Sequence, residues 1–309
     1  MSAIIRLADW VFGLALTSLV TCYQPKRTSG PLVSVVIATY NRPANLVLAI
    51  ESVLRQSYRD FEILVVGDGC TDDTETVVKS ISDSRVHWLS LSTNSGSQSM
   101  PNNLGIEQAK GKYIAYLGHD DIWLPNHLSN LVAAMEKGNL EIATTRCFSI
   151  GPPGSNVIYL SPPDLVRDQK IHTPPSALCH VRHLVKESGR WTDYKKLPPL
   201  YGPDTDFIDR FSQIATRKNA LRRATVVKMN AAMRKNCYVS GDTSEQKNYL
   251  EETRRPLRLT QKLIYQTLLS RTLNRSKRNL EVDKLEMLPG EHLVDSWRRF
   301  KGLGVRNSE

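Results

Sequence analysis

The sequence predicts an α/β domain with a mostly parallel central sheet and helices on both of its faces. Segments rich in β-branched residues alternate with helical patterns as far as about residue 140. Several of those segments are apolar at nearly every position, as strands covered on both faces are. The composition agrees, because 40% of the 309 residues are hydrophobic and 23% are charged, which excludes a wholly disordered or collagen-like chain.

The alternation begins at Val33–Thr39, a nearly continuous β-branched run that predicts a buried strand. Pro43 then opens a helical pattern, since proline suits the first turn of a helix. The elements that follow are, in order, a strand over Phe61–Val66, a helix over Thr71–Ile81, a strand over Val86–Leu91, a helix that ends at Ile106–Lys110, a strand over Tyr113–Leu117 and a helix over Leu128–Met135. Sheets of this kind bind ligands at the carboxyl ends of their strands, so the loops after the strands are the candidate site.

Three regions are expected along the chain: an apolar N-terminal segment over residues 1–29, the α/β domain over 30–240, and a basic helical extension over 241–309. The uncharged stretch at 10–22 is shorter than the ~20 residues of a transmembrane helix. It is compatible with a helix docked on the protein or lying at a membrane surface, with a true anchor, or with a leader.

The net charge of +10 is unevenly distributed. Residues 1–209 hold 19 basic and 21 acidic side chains, whereas residues 210–309 hold 22 basic and 10 acidic ones, a net of +12. A basic segment attracts nucleic acid, an anionic membrane or a phosphate-bearing substrate. The common nucleic-acid-binding motifs are absent from the sequence, so no nucleic-acid partner is expected, and peripheral contact with a membrane fits better.

The five cysteines are far apart and include no C-x-x-C pair. This spacing disfavours a disulfide framework or a zinc site and favours a reducing compartment. We therefore expect a cytoplasmic protein that associates peripherally with the inner membrane face.

Carboxylates follow two of the predicted strands. Asp68 comes after the second strand, and Asp120 and Asp121 come after the fourth. Two adjacent carboxylates repel each other unless a cation is present, and Mg²⁺ or Mn²⁺ commonly bridges such groups to substrate phosphates. From the pair alone, a helix N-cap is the favoured explanation. Neither a complete G-x-G-x-x-G turn nor a G-x-x-x-x-G-K-[ST] loop occurs, which disfavours a dinucleotide oxidoreductase or a P-loop enzyme.

Several motifs occur together over about residues 31–135, in one order and spacing. They are Val33-Ser-Val-Val-Ile-Ala-Thr-Tyr-Asn-Arg42, Ile63-Leu-Val-Val-Gly-Asp-Gly-Cys-Thr-Asp-Asp-Thr74, Asn94-Ser-Gly96, Asn103-Leu-Gly-Ile-Glu-Gln-Ala-Lys-Gly-Lys-Tyr-Ile114 and Leu117-Gly-His-Asp-Asp-Ile-Trp123. On these motifs the chain resembles a family 2 glycosyltransferase with the GT-A fold. It departs from the family at Gly118 and Gly67, where the family has or often has Asp, and at Ser99–Asn102, where it often has Arg.

The resemblance implies a nucleotide-sugar donor, and it implies donor contacts by five residues: Thr39, Tyr40, Arg42, Asp68 and Asn103. Among these, Asp68 would accept the imide N–H of uracil, and the Tyr40 ring would offer a face to the base. Asp120 would ligate a Mg²⁺ or Mn²⁺ ion that bridges the diphosphate. Asp121 would orient the loop or reach the ion through water.

An inverting transfer also needs a base that deprotonates the attacking hydroxyl. Tyr201–Ile208 resembles the acidic stretch that opens a helix in the family, with Asp204 at the position of the base and Asp206 in reserve. Acidic residues are favoured at any helix start, so the stretch also has a purely structural explanation. The expected activity is metal-assisted, inverting transfer from a UDP-sugar to a hydroxyl of a glycan, lipid-linked or other acceptor; the alternative is a non-catalytic nucleotide- or glycan-binding module.

Overall fold

The computed structural model describes residues 32–155, 158–161, 166–167, 170–171, 173–276 and 285–303. The N-terminal segment expected at 1–29 lies outside these residues. None of the described helices is both long enough and apolar enough to cross a bilayer.

Strands and helices alternate through the first half of the described chain. The strands are β1 Val33–Thr39, β2 Phe61–Asp68, β3 Val86–Leu91, β4 Tyr113–Tyr116, β5 Ile122–Trp123, β6 Ile142–Ile150, β7 Ile158–Leu160, β8 Val166–Arg167, β9 Lys170–Ile171, β10 Leu178–Val181 and β11 Lys218–Met229. The helices are α1 Pro43–Leu54, α2 Thr74–Lys79, α3 Ser99–Gln108, α4 His127–Lys137, α5 Leu184–Ser188, α6 Pro203–Ile214, α7 Cys237–Ser240, α8 Ser244–Glu252, α9 Pro256–Ser276 and α10 Leu293–Phe300.

Within the described residues, nine strands form one sheet in the order β3-β2-β1-β4-β10-β6-β11-β5, with β7 paired to β6. The first four strands of this order are parallel to their neighbours, as the sequence predicts. Beyond them the sheet is mixed, because β10 runs antiparallel to both β4 and β6. The α/β class is therefore confirmed, with the parallel arrangement concentrated in the N-terminal half.

The strand order reverses at β1, which lies between β2 and β4. Such a switch point opens a crevice at the carboxyl ends of the flanking strands. β1 and β2 are buried along almost their whole length, and α1 packs one face of the helix onto the core through Leu46, Ala49, Ile50 and Val53. The switch point therefore has a rigid base.

Two helices differ from the sequence prediction for local reasons. The helix expected over Thr71–Ile81 begins at Thr74, because Asp72 Oδ1 accepts hydrogen bonds from the Thr74 backbone N–H at 3.1 Å and from its hydroxyl. The start of the helical extension expected over residues 241–309 is divided into α8 and α9, since Pro256 begins α9 and disfavours helical geometry in the residue before it.

The C-terminal segment Glu291–Leu303 returns to the α/β domain. The backbone N–H groups of Asn236 and Tyr238 donate to the carbonyls of Phe300 and Lys301 at 2.8 and 3.0 Å, and Leu293 N donates to Pro199 O at 2.8 Å. The boundary expected at residue 240 remains a prediction, but this segment packs beside the carboxyl edge of the sheet.

Candidate active site

A pocket of about 330 Å³ opens at the switch point of the sheet. Its walls come from the loops after β1, β2 and β4, from the start of α6 and from the C-terminal segment. Five predicted site residues line it: Thr39, Tyr40, Asp68, Asp120 and Asp204. Four others are not among its lining residues: Arg42, Asn103, Asp121 and Asp206.

Asp68 ends β2 on the pocket wall and is held there by the loop after β3. The Ser95 backbone N–H donates to Asp68 Oδ1 at 2.8 Å, and the Asn94 side-chain amide donates to the Asp68 carbonyl at 3.0 Å. Because Asp68 is buried, desolvation raises the pKa of its carboxyl, although the hydrogen bonds from Ser95 act in the opposite direction.

Thr39 and Tyr40 form the adjacent wall at the end of β1. The Thr39 side chain is buried, and its hydroxyl has no hydrogen-bond partner among the described residues. Buried polar atoms are almost always paired, so the Thr39 hydroxyl is an exception on this wall.

The two adjacent carboxylates of the β4–β5 turn have different surroundings. Asp121 is fully buried, and its oxygens accept hydrogen bonds from Ser176 Oγ at 2.5 Å, Lys228 Nζ at 3.1 Å and Met229 N at 3.0 Å. These bonds fix β11 against the turn. Lys228 is kept charged, because the neighbouring carboxylates raise its pKa against the effect of burial.

Asp120 faces the pocket, and no described residue donates a hydrogen bond to its carboxylate. Burial opposes ionisation of this carboxyl, but His119, Lys228, Arg42 and Lys301 together hold its pKa below the usual range. A charged carboxylate with unpaired oxygens is thus presented to the pocket.

This environment fits a divalent ion held by one protein carboxylate. Hard cations such as Mg²⁺ and Mn²⁺ take oxygen ligands and often combine one or two carboxylates with substrate phosphates and water. In the part of the chain that the structure describes, no group of three His, Cys, Asp or Glu side chains could hold a metal alone. Metal ligation by Asp120 and by Asp121 stays a prediction.

Arg42 and Asn103 support the pocket from outside. The Arg42 guanidinium lies 4.7 Å from the centroid of the Tyr238 ring, a pocket residue, and its Nε donates to Asn45 Oδ1 at 3.0 Å. The Asn103 side chain exchanges two hydrogen bonds of 2.9 Å with the backbone of Trp191. Direct donor contact by either residue stays a prediction.

The two candidate bases at the start of α6 are clearly separated by their surroundings. Asp204 lines the pocket, and its Oδ1 accepts a hydrogen bond from Thr205 N at 3.0 Å. Asp206 instead accepts from Thr192 Oγ1 at 2.7 Å and pairs with Arg210, whose NH2 lies 2.7 Å from Asp206 Oδ2. Asp204 is therefore the carboxylate available to an acceptor.

Sequence comparison identifies the domain that carries this pocket. Residues 34–184 match the family model described as glycosyl transferase family 2. The chain carries a family 2 glycosyltransferase domain. The predicted resemblance is thereby confirmed, and the matched residues include β1, β2 and β4 with the pocket carboxylates Asp68 and Asp120.

Curated relatives share this glycosyltransferase domain. An uncharacterized glycosyltransferase of Rickettsia typhi is 33% identical over 140 residues, which are 45% of this chain and 43% of the relative. The Escherichia coli protein WfaP, named as a UDP-Glc:alpha-D-GlcNAc-diphosphoundecaprenol beta-1,3-glucosyltransferase, is 31% identical over 134 residues, 43% of this chain and 53% of the relative. The chain thus spans about half the length of the curated relatives it matches.

Solved structures confirm the GT-A fold over most of the chain. Staphylococcus aureus TarS in complex with UDP-GlcNAc aligns with a TM-score of 0.55 and 20% identity, covering 81% of this chain and 76% of that one. The mannosyltransferase PcManGT of Pyrobaculum calidifontis, in complex with GDP-Man and Mn²⁺, aligns with a TM-score of 0.52 and 15% identity, covering 92% and 87%.

Packing accounts for both glycines that replace Asp in this glycosyltransferase domain. A Cβ on Gly67 would lie 2.5 Å from the Trp88 ring, so the indole occupies the space of a side chain. A Cβ on Gly118 would lie 2.9 Å from Asp121 Oδ2 and 3.2 Å from Asp120 Oδ1. A third carboxylate would crowd the two that are present.

Sequence reasoning missed three cationic residues of the pocket. Lys228 on β11, and Arg298 and Lys301 from the C-terminal segment, line it together with the Trp297 ring. The one sequence signal was the excess of positive charge after residue 209, which predicts an anionic partner without indicating which cations meet it.

Proposed function

We propose that this protein is an inverting glycosyltransferase that moves a sugar from a UDP-sugar to an acceptor hydroxyl with the help of Mg²⁺ or Mn²⁺. The observation that carries the proposal is that Asp68, Asp120 and Asp204, from three separate parts of the fold, line one pocket at the switch point of the sheet. Asp68 would hold the nucleotide base, Asp120 would share the ion, and Asp204 would accept a proton.

The nucleotide would lie against the ends of β1 and β2. Asp68 would accept the imide N–H of uracil in a charge-assisted hydrogen bond, which favours uracil over cytosine because cytosine has no imide N–H. The unpaired Thr39 hydroxyl and the Tyr40 ring complete the wall.

In the transfer step, the acceptor oxygen forms a bond to the sugar's anomeric carbon while the bond from that carbon to the phosphate oxygen breaks. Asp204 takes the proton of the attacking hydroxyl as the new bond forms. Attack on the face opposite the leaving phosphate inverts the anomeric configuration. Asp120 would hold a Mg²⁺ or Mn²⁺ ion, which would supply positive charge beside the departing nucleotide.

A lipid-linked acceptor is the acceptor class that the relatives favour. WfaP is named for transfer to a GlcNAc-diphosphoundecaprenol, and a Campylobacter jejuni relative, 35% identical over 111 residues, is named for transfer to a glycan on diphospho-undecaprenol. An acceptor of this kind would bring the protein to the cytoplasmic membrane surface as a peripheral partner. The basic C-terminal third of the chain suits an anionic surface.

The test is a donor screen on the purified protein. UDP-glucose, UDP-GlcNAc, GDP-mannose and dTDP-glucose are each incubated with Mn²⁺ and GlcNAc-diphosphate on a synthetic alkyl chain, and nucleotide release is followed. We expect turnover with a UDP-sugar, and an inverted anomer in the product by NMR. Turnover with GDP-mannose alone contradicts the nucleotide assignment, and a retained anomer contradicts the role of Asp204.

The screen also distinguishes a glycosyltransferase from a non-catalytic binding module. That module would bind UDP in calorimetry while releasing no nucleotide from any donor. The packing around Gly67 and Gly118 argues against it, because both replacements have a local steric cause that leaves Asp68 and Asp120 in place.

A further inference from the structure

We propose that the C-terminal segment completes the donor site: Lys301 binds the diphosphate of the nucleotide, and Arg298 positions the loop that orients Asp68. The inference rests on the proposed function, because it assumes a nucleoside diphosphate in the pocket. It adds two residues that lie more than a hundred positions beyond the matched family 2 region.

Arg298 reaches the loop that holds Asp68. Its NH1 group donates to Asn94 Oδ1 at 3.3 Å and to the Gly96 carbonyl at 3.2 Å. Asn94 and Ser95 in turn donate to Asp68. A chain of hydrogen bonds therefore runs from Arg298 through Asn94 to the Asp68 backbone carbonyl, while Ser95 of the same loop holds the Asp68 carboxylate that would read the base.

Arg298 also retains an unused donor. Its Nε is buried and has no hydrogen-bond partner among the described residues. The loop therefore engages only part of the Arg298 guanidinium, through its NH1 group.

Lys301 lines the same pocket from the turn that follows α10. Among the described residues, no carboxylate lies within 4.0 Å of its ammonium group, in contrast to Lys228, which is paired with Asp121. Because Lys301 and Asp120 line the same pocket, this ammonium group is placed to receive phosphate oxygens on the pocket wall that also carries Asp120.

The turn itself is rigid and leaves the helix carbonyls occupied. Gly302 has a φ of +87°, its N–H donates to Arg299 O at 3.1 Å, and Leu303 N donates to Arg298 O at 2.8 Å, which is a Schellman motif. The Lys301 carbonyl accepts from Tyr238 N at 3.0 Å. The carbonyl groups at the C-terminal, negative end of the α10 dipole are thus hydrogen-bonded, so none of them faces a phosphate without a partner.

The experiment compares UDP with uridine on the full chain by calorimetry, each with and without Mn²⁺. For K301Q we expect UDP binding to weaken about tenfold or more, equivalent to about 1.4 kcal/mol, and uridine binding to stay within twofold. K301R should bind UDP within about threefold of the wild type, since it keeps the charge. For R298Q we expect UDP and uridine to weaken by the same factor at an unchanged unfolding midpoint.

The matched control is R299Q. Arg299 is the neighbour of Arg298 on the same helix, but it pairs with Glu291 at 2.9 Å and does not line the pocket, so nucleotide binding should not change. Should K301Q fail to fold, K301M keeps the aliphatic stem and gives the same comparison.

Each contrary result has a distinct meaning. If K301Q binds UDP like the wild type, or loses uridine equally, Lys301 is not a diphosphate ligand, and the proposed function stands without it. If R298Q weakens UDP alone, Arg298 does not act through Asp68.

If the wild type binds GDP but not UDP, the donor assignment fails, and the same variants with GDP and guanosine still decide the inference. If it binds no nucleoside diphosphate, the proposed function fails and the inference fails with it.

Discussion

Replacing Asp204 by Asn gives the sharpest test of the proposed chemistry, because Asp206 offers a matched control on the same helix. Asp204 lines the pocket, whereas Asp206 is engaged by Thr192 and Arg210. In D204N the amide oxygen can still accept the hydrogen bond from Thr205 N, so α6 should begin at the same residue. What is lost is the ability to take a proton.

The expected loss follows from that role. A positioned general base contributes about 10²–10⁴ in rate, so D204N should lower kcat by that factor, about 3–5 kcal/mol in activation free energy. Binding of UDP should stay within about twofold, because Asp204 would face the acceptor and not the nucleotide.

D206N should show the opposite pattern. The Asp206–Arg210 pair is partly exposed, and Arg210 keeps its bonds to the carbonyls of Ser188 and Arg190, so the loss of stability should be about 1 kcal/mol or less. That corresponds to a fall of about 2–4 °C in the unfolding midpoint. The value of kcat should change little.

The assay is single-turnover release of UDP from the donor that the screen selects, with acceptor in excess, alongside calorimetry with UDP. Retention of more than about a tenth of wild-type kcat in D204N would refute its role as the base. Equal losses in D204N and D206N would point to α6 as a structural element and not as a source of the base.

Three further predictions concern the other carboxylates. D68N should weaken UDP binding about 10–100-fold. Since burial raises the pKa of Asp68, the UDP affinity of the wild type should fall as decreasing pH protonates this carboxyl. Calorimetry between pH 7 and 4 should show no such fall for D68N. D120A should remove the gain in UDP affinity that Mn²⁺ gives the wild type; the ratio of the dissociation constants with and without Mn²⁺ measures it, and an unchanged ratio contradicts the assignment. D121N should destabilise the fold by about 2–4 kcal/mol in urea unfolding, because it removes the buried carboxylate that pairs with Lys228, a side chain only 29% exposed. A loss below about 1 kcal/mol would mean that the pair contributes little.

Local sequence signals predicted the N-terminal half of the sheet well. The strands at Val33–Thr39 and Val86–Leu91 have the predicted bounds, because polar or turn-forming residues delimit each apolar run. The parallel pairing followed from the alternation of strands and helices. β10 was not predictable in this way, since it enters the sheet between β4 and β6, and nothing local to Leu178–Val181 specifies either partner.

The difference between local sequence signals and long-range contacts also explains which residues of the site could be predicted. Asp68 and Asp120 could be placed together from sequence, because the carboxyl ends of the parallel strands of one sheet meet at one edge. Arg42 and Asn103 lie in the matched motifs, but the motifs do not specify that their side chains contact Tyr238 and Trp191, which lie far along the chain. Lys301 reaches the pocket through contacts with residues 236–238, which no periodicity encodes.

The distribution of charge acquires a chemical meaning once the fold is known. The pocket carboxylates Asp68, Asp120 and Asp204 all come from the first 209 residues, and Lys228, Arg298 and Lys301 all come from the last 100. A wall made of carboxylates alone would repel the diphosphate of a donor, so it needs cations that the N-terminal half does not provide. The basic C-terminal third contributes cations at the switch point, so its charge would serve the proposed donor site as well as any attraction to a membrane surface.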